Sequence, residues 1–182
     1  MADRILIASD IHGSATAATI LMQRIEEFGP DRVILLGDLL YHGPRNDLPD
    51  GYAPKQVIPM LNSIAGMARA VRGNCDAEVD QMVLEFSCMD DYACLDIDGM
   101  RALATHGHLA EERLADGNAQ NPVIRMSGHT HVKILEKRDG IIWLNPGSTS
   151  IPKDGSASYA TYADGTFALH ALDGTVLRQL GC

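Results

Sequence analysis

The sequence repeats one unit five times: a short apolar segment that ends in a turn carrying histidine, aspartate or asparagine. Short apolar runs of this kind are typical of strands that are buried on both faces of a sheet. Ligand sites in open α/β sheets gather at the carboxyl ends of the strands, so we expect the five turns to meet in one place. The turns are Asp10-Ile-His12, Gly37-Asp38, Gly73-Asn74, His106-Gly-His108 and His129-Thr-His131.

The first half of the chain alternates predicted strands with predicted helices. Ser14 is an N-cap candidate for a helix that carries apolar residues at helical spacing and ends at Gly29-Pro30. This order of elements predicts a sheet with at least partly parallel strands. The predicted strands are Arg4–Ser9, Val33–Leu36 and Ala68–Arg72, and a second predicted helix covers Lys55–Ile64 around Pro59.

The second half is predicted to be mostly β structure. After Asp90 the apolar runs shorten, and Asp-Gly dipeptides mark turns typical of hairpins. We therefore expect an α/β fold in which two sheets share a core and helices lie outside. The predicted strands are Cys94–Ile97, Ala102–Thr105, Val123–Met126 and Lys133–Leu135, and the turns are Asp98-Gly99, Asp139-Gly140, Asp164-Gly165 and Asp173-Gly174.

Composition excludes several classes of protein. With 182 residues, 46% of them hydrophobic, the chain has the size of one domain with a substantial core. A net charge of −9 and few aromatic residues argue against stable nucleic-acid binding. The four cysteines form no C-x-x-C pair, and the apolar runs are too short to span a membrane. We expect a cytoplasmic protein with reduced thiols and no membrane partner.

Each of the five turns, taken alone, can be explained as an ordinary structural turn without a ligand. An aspartate turn is usually a capped, solvated turn, and two alternate histidines can be a surface pair. Together, however, the turns hold five of the seven histidines. Carboxylates, an amide oxygen and imidazoles form a mixed set of ligands that suits Mn²⁺, Zn²⁺, Fe or Mg²⁺. The set exceeds the needs of one ion and fits two ions about 3.5–4 Å apart that share a carboxylate.

The ordered motifs resemble the calcineurin-like metallophosphoesterase superfamily. The resemblance extends from Ile5 to about Tyr162. It implies a two-sheet β-sandwich flanked by helices, of the αββα type, and we expect residues 1–182 to form a single domain. The longer strings ASDIHGS, LGDLLYHGPRN, VRGNCDAEVDQM, THGHL, SGHTH and NPGSTSIPK are similar to its small bacterial YfcE-type phosphodiesterases.

The resemblance also implies a dinuclear metal centre. Asp38 would bridge two divalent ions, with Mn²⁺ as the first choice and Zn²⁺, Fe or Mg²⁺ as alternatives. A water molecule between the ions would lose a proton near neutral pH and attack phosphorus opposite the leaving oxygen, without a covalent enzyme intermediate. By motif position, one ion would be held by Asp10, His12 and His131, and the other by Asn74, His106 and His129.

Three other side chains are candidates for contact with a substrate or its leaving group. Many members of the superfamily carry histidine directly after the motif asparagine, Asn74, but here that residue is Cys75. His108 is then the nearest candidate to assist the leaving group, with a purely structural imidazole as the alternative. Arg45 could bind phosphate through its planar guanidinium, although an exposed arginine is more often only solvated.

The sequence therefore predicts a metal-dependent phosphodiesterase that hydrolyses a small phosphodiester. A phosphomonoesterase or a nuclease could use the same metal centre. A third interpretation is a non-catalytic interaction scaffold, as in the retromer subunit related to these enzymes, but a scaffold would be expected to lose ligands. The sequence does not decide the oligomeric state. If the protein forms a homo-oligomer, the loop from Tyr41 to Pro54 could serve as the contact surface.

Overall fold

Two mixed β-sheets form the centre of the computed structural model, which describes residues 2–110 and 121–182. Within these residues the strands are β1 (Ile5–Ala8), β2 (Arg32–Leu35), β3 (Ala68–Ala70), β4 (Tyr92–Ile97), β5 (Met100–Thr105), β6 (Ile124–Met126), β7 (Ile134–Arg138), β8 (Ile141–Asn145), β9 (Ser158–Ala163), β10 (Thr166–Ala171) and β11 (Val176–Gly181). The helices are α1 (Ala15–Phe28), α2 (Pro54–Asn62) and α3 (Glu78–Gln81).

The topology brings the carboxyl ends of neighbouring strands together. The first sheet has the order β11-β10-β9-β1-β2-β3, and β1, β2 and β3 run parallel. The second sheet has the order β4-β5-β6-β8-β7, and β5, β6 and β8 run parallel. The five motif turns directly follow β1, β2, β3, β5 and β6. In each sheet these strands are parallel, so their turns lie at the same edge of that sheet.

Helix α1 has the ends that the sequence predicts. The Ser14 hydroxyl accepts a hydrogen bond from the Ala17 amide at 3.1 Å, which satisfies one of the unpaired N–H groups of the first turn. Gly29 ends the helix with a φ of 61°, a left-handed conformation that glycine adopts without a steric penalty. Leu21 and Ile25 are buried against the first sheet. The predicted cap and stop are confirmed.

Helix α2 is shifted slightly from its predicted bounds. The sequence predicts Lys55–Ile64, whereas the helix spans Pro54–Asn62 with Pro54 in its first turn and Pro59 inside it. Proline favours the first turn because that position needs no hydrogen-bonded N–H. Helix α3 (Glu78–Gln81) was missed, since four residues are too few to show a helical period.

Alternate residues of β1 enter two different cores. Ile5 and Ile7 point into the core between the sheets, while Leu6 and Ala8 pack in the core between the first sheet and the helices. All four are fully buried, as the continuous apolar run predicts for a strand covered on both faces. The predicted fold class, a two-sheet sandwich with outer helices, is confirmed. None of the helices within residues 2–110 and 121–182 is long and apolar enough to cross a membrane.

Three of the predicted hairpin turns have the expected backbone conformation. Asp98, Asp139 and Asp164 have φ angles of 48°, 50° and 48°, and the glycine after each also has a positive φ. This is the type I′ conformation whose twist matches that of the paired strands. The turns join β4 to β5, β7 to β8 and β9 to β10.

Candidate metal centre

Backbone hydrogen bonds hold the motif turns against one another. The amide of His12 donates to the carbonyl of Asp38 at 2.9 Å, which ties the turn after β1 to the turn after β2. The amide of Gly128 donates to the carbonyl of His106 at 2.9 Å, and the amide of His129 donates to Asp10 Oδ2 at 3.0 Å. The turns of the two sheets therefore meet at one edge of the sandwich.

Five of the predicted ligands have a left-handed backbone. A positive φ outside glycine costs of the order of 1–3 kcal/mol, and outside tight turns such residues cluster at functional sites. Here the conformation turns each side chain towards the common centre instead of along the strand direction. The residues and their φ angles are Asp10 (56°), His12 (49°), Asp38 (55°), His129 (65°) and His131 (59°).

Asp10, His12 and His131 form the first compact group of ligand atoms. Asp10 Oδ1 lies 3.5 Å from His12 Nε2 and 3.2 Å from His131 Nε2. All three side chains are buried. The other ring nitrogen of each imidazole is engaged: His12 Nδ1 lies 2.8 Å from the Tyr41 carbonyl, and His131 Nδ1 lies 2.8 Å from the Ile151 carbonyl.

These carbonyl contacts decide which nitrogen of each ring carries the proton. A carbonyl oxygen only accepts, so Nδ1 donates and Nε2 of the neutral imidazole is left with a lone pair. The Nε2 atoms of His12 and His131 then face each other at 3.3 Å, and both face Asp10 Oδ1, a buried atom without a hydrogen-bond partner in the described structure. Three acceptors so close together repel one another unless a proton or a metal cation lies between them, and this donor set fits a metal ion.

His106 and Asn74 have the same arrangement on the other side of Asp38. His106 Nδ1 lies 2.6 Å from the Leu36 carbonyl and therefore donates, while its Nε2 lies 3.1 Å from Asn74 Oδ1, another acceptor. Asp38 Oδ2 lies 3.5 Å from His106 Nε2 and 3.7 Å from His12 Nε2. Asp38 thus stands between the two groups, at the place where a shared carboxylate is needed. The ring of His129 lies 5.2 Å from that of His106, at the edge of this second group.

Protons and metal ions compete for these atoms. Burial by itself raises the pKa of Asp10, but contacts with His12 and His131 outweigh it and hold that pKa well below its usual range. Burial by itself lowers the pKa of His106, but Asp38 and Asp10 outweigh it and raise that pKa to about 9. The charges that attract a proton this strongly attract a divalent cation as well.

Asp76 is a site residue that was missed at the sequence level. Its buried carboxylate accepts three backbone hydrogen bonds, from Asp38 and Gly73 at 2.8 and 2.7 Å and from Leu39 at 2.8 Å. It therefore fixes the turns after β2 and β3 to each other, directly behind the shared carboxylate. Its position two residues after Asn74 in the motif string could have identified it as a site residue, but an aspartate there is also typical of an ordinary turn.

Gly73 has no room for a side chain. A Cβ atom there would lie 2.0 Å from Asp38 Oδ1 and 2.3 Å from Asp38 N. We expect Gly73→Ala to lower the free energy of unfolding by about 1–3 kcal/mol and to weaken metal binding, because Asp38 must move. Denaturant unfolding and metal titration measure both effects. Gly66→Ala is the matched control, since nothing lies within 4 Å of its Cβ. Equal metal affinity in both variants would contradict this steric argument.

A cavity of about 450 Å³ opens above the buried ligands. Arg45, a predicted substrate contact, is part of its wall, and so is Lys153, which was not among the predicted site residues although it ends the motif string NPGSTSIPK. The residues that line the cavity are Asp38, Arg45, Asn46, Asn74, His129, Thr130, His131 and Lys153.

Cys75 and His108 occupy different positions around the site. The Cys75 sulfur lies within 4.8 Å of ligand atoms of His12 and Asp38. Burial and the negative charge of Asp38 raise the pKa of this thiol to about 12, so it is protonated at neutral pH. The His108 ring packs 5.3 Å from that of His106, and burial, followed by the charges of His106 and His129, lowers its pKa. His108 is not among the described residues that line the cavity.

Comparisons with known proteins agree with this geometry. The chain is 41% identical to phosphodiesterase YfcE of Escherichia coli (strain K12) over 179 residues, which are 97% of each protein. The solved structure of that phosphoesterase from E. coli superposes with a TM-score of 0.90 at 40% identity and covers 98% of each chain. Vacuolar Protein Sorting 29 from Cryptosporidium parvum shares the fold, with a TM-score of 0.67 at 17% identity over 99% of this chain and 98% of that one.

A family profile gives the same result for most of the chain. The profile described as the calcineurin-like phosphoesterase superfamily domain matches residues 4–165, which include every predicted metal ligand. The ligand groups around Asp10 and Asp38 lie within that match, and the two sheets that carry them form the fold of the matching structures. The chain belongs to the calcineurin-like phosphoesterase superfamily.

Proposed function

We propose that this protein is a metal-dependent phosphodiesterase that hydrolyses small phosphodiesters. One observation carries the proposal: buried ligand atoms of two carboxylates and three imidazoles converge at the floor of an open cavity. The likeness to phosphodiesterase YfcE over nearly the whole chain supports a diester as the substrate. The volume of about 450 Å³ is in the range of pockets for small molecules.

We propose that Asp10, His12 and His131 hold one divalent cation, and that Asn74, His106 and His129 hold the other. Asp38 is shared between them. Mn²⁺ is our first choice, and Zn²⁺, Fe and Mg²⁺ suit the same set of oxygen and nitrogen ligands. When bound, such cations lower the pKa of a water molecule and neutralise charge on the phosphoryl oxygens.

The protein's own residues orient the ligands and the substrate. The carbonyls of Tyr41, Leu36 and Ile151 fix the three buried imidazoles so that each Nε2 faces the centre. Asn74 Nδ2 donates to the Cys75 sulfur at 3.2 Å, which holds the amide oxygen towards His106. Because Cys75 is not among the described residues that line the cavity, its proposed role is to support Asn74 beside the substrate position.

Two further roles concern the cavity and its surroundings. Arg45 is proposed to contact the substrate, because it lines the cavity and its guanidinium suits a phosphate oxygen. His108 is proposed to keep the rings of His106 and His129 in place by packing, since its ring lies 5.3 Å and 6.3 Å from theirs and it is not among the described residues that line the cavity. This is the structural alternative to a role of His108 in protonating the leaving group.

The remaining proposals concern the whole chain. The family profile matches residues 4–165 of 182, which supports our proposal that the chain folds as one domain. We place the protein in the cytoplasm, where thiols such as Cys75 stay reduced. The seven proposed ligands are all present, which an interaction scaffold would not require.

Metal removal and restoration test the proposed function. We expect protein stripped with a chelator to retain about 1% or less of its activity on bis(p-nitrophenyl) phosphate, and Mn²⁺ to restore most of it. The activities restored by Zn²⁺ and Mg²⁺, added separately, rank the metals. Hydrolysis of p-nitrophenyl phosphate, compared with that of the diester, measures the preference for monoesters. Full turnover by the stripped protein would refute the proposal. A faster reaction with the monoester would favour the phosphomonoesterase alternative.

A further inference from the structure

Two positive side chains line the cavity on loops that are far apart in sequence. Arg45 lies in the loop between β2 and α2, and Lys153 lies in the loop between β8 and β9. Within residues 2–110 and 121–182, neither side chain has a hydrogen bond or an ion pair. Among the described residues that line the cavity, Asp38 is the one carboxylate, and it is a proposed metal ligand. In a chain with a net charge of −9, this local excess of positive charge calls for an anionic partner.

The surroundings of Lys153 direct its charge to the cavity. Its neighbour Asp154 is already occupied, because Lys133 binds that carboxylate through both its ammonium group and its backbone amide. The backbone amide of Lys153 donates to the carbonyl of His131 at 3.0 Å. The base of the Lys153 side chain is thus fixed beside a proposed metal ligand, while its ammonium group remains available.

Arg45 stands on a loop that is held in shape next to the site. The side-chain amide of Asn46 donates to the His42 carbonyl at 2.8 Å, and the backbone amide of Asn46 donates to the Gly43 carbonyl at 3.3 Å. Asp47 follows in the same loop, but within the described chain it forms no ion pair with Arg45. The guanidinium therefore keeps its five donors for a ligand.

The scissile phosphate of a diester does not need the positive charges of both Arg45 and Lys153. Two divalent cations, when bound, would be balanced by the carboxylates of Asp10 and Asp38, a hydroxide ion and the single negative charge of a diester. Among the described residues that line the cavity, the charges of Arg45 and Lys153 would then remain without a counter-charge. A cavity that concentrates unpaired positive charge selects ligands with additional negative charge.

We propose that Arg45 and Lys153 form a second anion subsite and that the substrate is a phosphodiester bearing a further phosphate on the group it esterifies. The inference rests on the proposed phosphodiesterase function. The metal centre takes the scissile diester, and the subsite binds the second phosphate through charge-assisted hydrogen bonds. Lys153 thereby becomes a specificity-determining residue, whereas the alternative is that both cations only contact the scissile phosphate.

Binding to the metal-loaded protein tests the subsite without turnover. The probes are thymidine 3′,5′-bisphosphate and thymidine 5′-monophosphate, compared by titration calorimetry. We expect the bisphosphate to bind about 10-fold more tightly, and Lys153→Gln to bring the two affinities close together. Lys153→Arg should keep most of the preference. Lys137→Gln, on the exposed part of β7, removes the same charge away from the cavity and should keep the full preference.

Hydrolysis provides a second readout. The p-nitrophenyl ester of thymidine 5′-phosphate is compared with the same ester carrying a 3′-phosphate, so the leaving group is constant. We expect the 3′-phosphate to lower KM about 10-fold with little change in kcat, and Lys153→Gln to remove that difference. An unchanged ratio in Lys153→Gln, or no preference for the added phosphate in the parent protein, would overturn the subsite. If neither ester reacts, the phosphodiesterase proposal fails, while the binding preference still decides the subsite.

Discussion

Asp38→Asn is expected to reduce diester hydrolysis about 10³-fold while the fold stays intact. The substitution removes a negative charge between the two proposed cation positions and places an amide N–H₂ group there in at least one orientation. Loss of a metal-held electrostatic contribution of several kcal/mol corresponds to a rate change of this size. The bound metal should fall from two ions per chain to one or fewer.

Asparagine is a conservative replacement at this position. The backbone of Asp38 has a φ of 55°, and asparagine tolerates the left-handed region better than most residues. An amide oxygen can also keep the hydrogen bond that Asp38 Oδ1 accepts from the Cys75 amide at 2.8 Å. Circular dichroism should therefore match that of the parent protein, which separates a loss of metal from a loss of fold.

The measurements are kcat/KM on bis(p-nitrophenyl) phosphate and metal content by elemental analysis. Asp47→Asn, in the exposed loop near the cavity, makes the same chemical change away from the ligands and should leave both values unaltered. An Asp38→Asn protein with parental activity and two metal ions would exclude Asp38 as the shared ligand.

Sequence patterns were sufficient where the determinants of structure are local. Ser14 and Gly29 define the ends of α1 because a cap and a left-handed stop depend on a few neighbouring residues. The turns at Asp98 and Asp139 are equally local. Convergence of the ligand turns could be predicted as well, since the carboxyl ends of parallel strands share an edge of the sheet.

Long-range contacts could not be predicted in the same way. Asp76 binds the amide of Gly73 three residues before it, but its bonds to the amides of Asp38 and Leu39 exist only because the turns after β2 and β3 lie side by side. Lys153 reaches the cavity through the loop that joins β8 of the second sheet to β9 of the first, so its position depends on how the two sheets pack. The left-handed backbone of Asp10 and Asp38 was also unforeseen, because this conformation normally indicates glycine and is imposed here by the surrounding turns.

Asp76→Ala is expected to lower the free energy of unfolding of the metal-free protein by about 3–5 kcal/mol. Three backbone N–H groups, of Leu39, Asp38 and Gly73, lose their acceptor in a buried place, and each unpaired donor costs about 1–3 kcal/mol, reduced where water can enter. For a chain of this size the melting temperature should fall by about 10 °C. Urea unfolding in the presence of a chelator measures the effect without a contribution from bound metal.

Asp76→Asn separates the acceptor role of this residue from the volume of its side chain. The oxygen of the new amide group can still accept from the backbone amides of Asp38 and Gly73, which share Oδ2 in the parent protein. Its N–H₂ group then faces the backbone amide of Leu39, which loses its acceptor. We expect about half of the destabilisation of Asp76→Ala. Asp139→Asn, at an exposed turn with a φ of 50°, is the control and should change stability by less than about 0.5 kcal/mol.

The metal affinity of Asp76→Asn decides whether Asp76 also positions the metal centre. Its carboxylate binds the backbone amide of Asp38 itself, so loss of that bond allows the shared carboxylate to move. Supporting residues of this kind change metal affinity about 10- to 100-fold. We expect a weakening in that range for Asp76→Asn under conditions in which the variant is fully folded. Parental affinity in the folded variant would limit Asp76 to a structural role, with Asp38 held in place by its other contacts, such as the Cys75 amide.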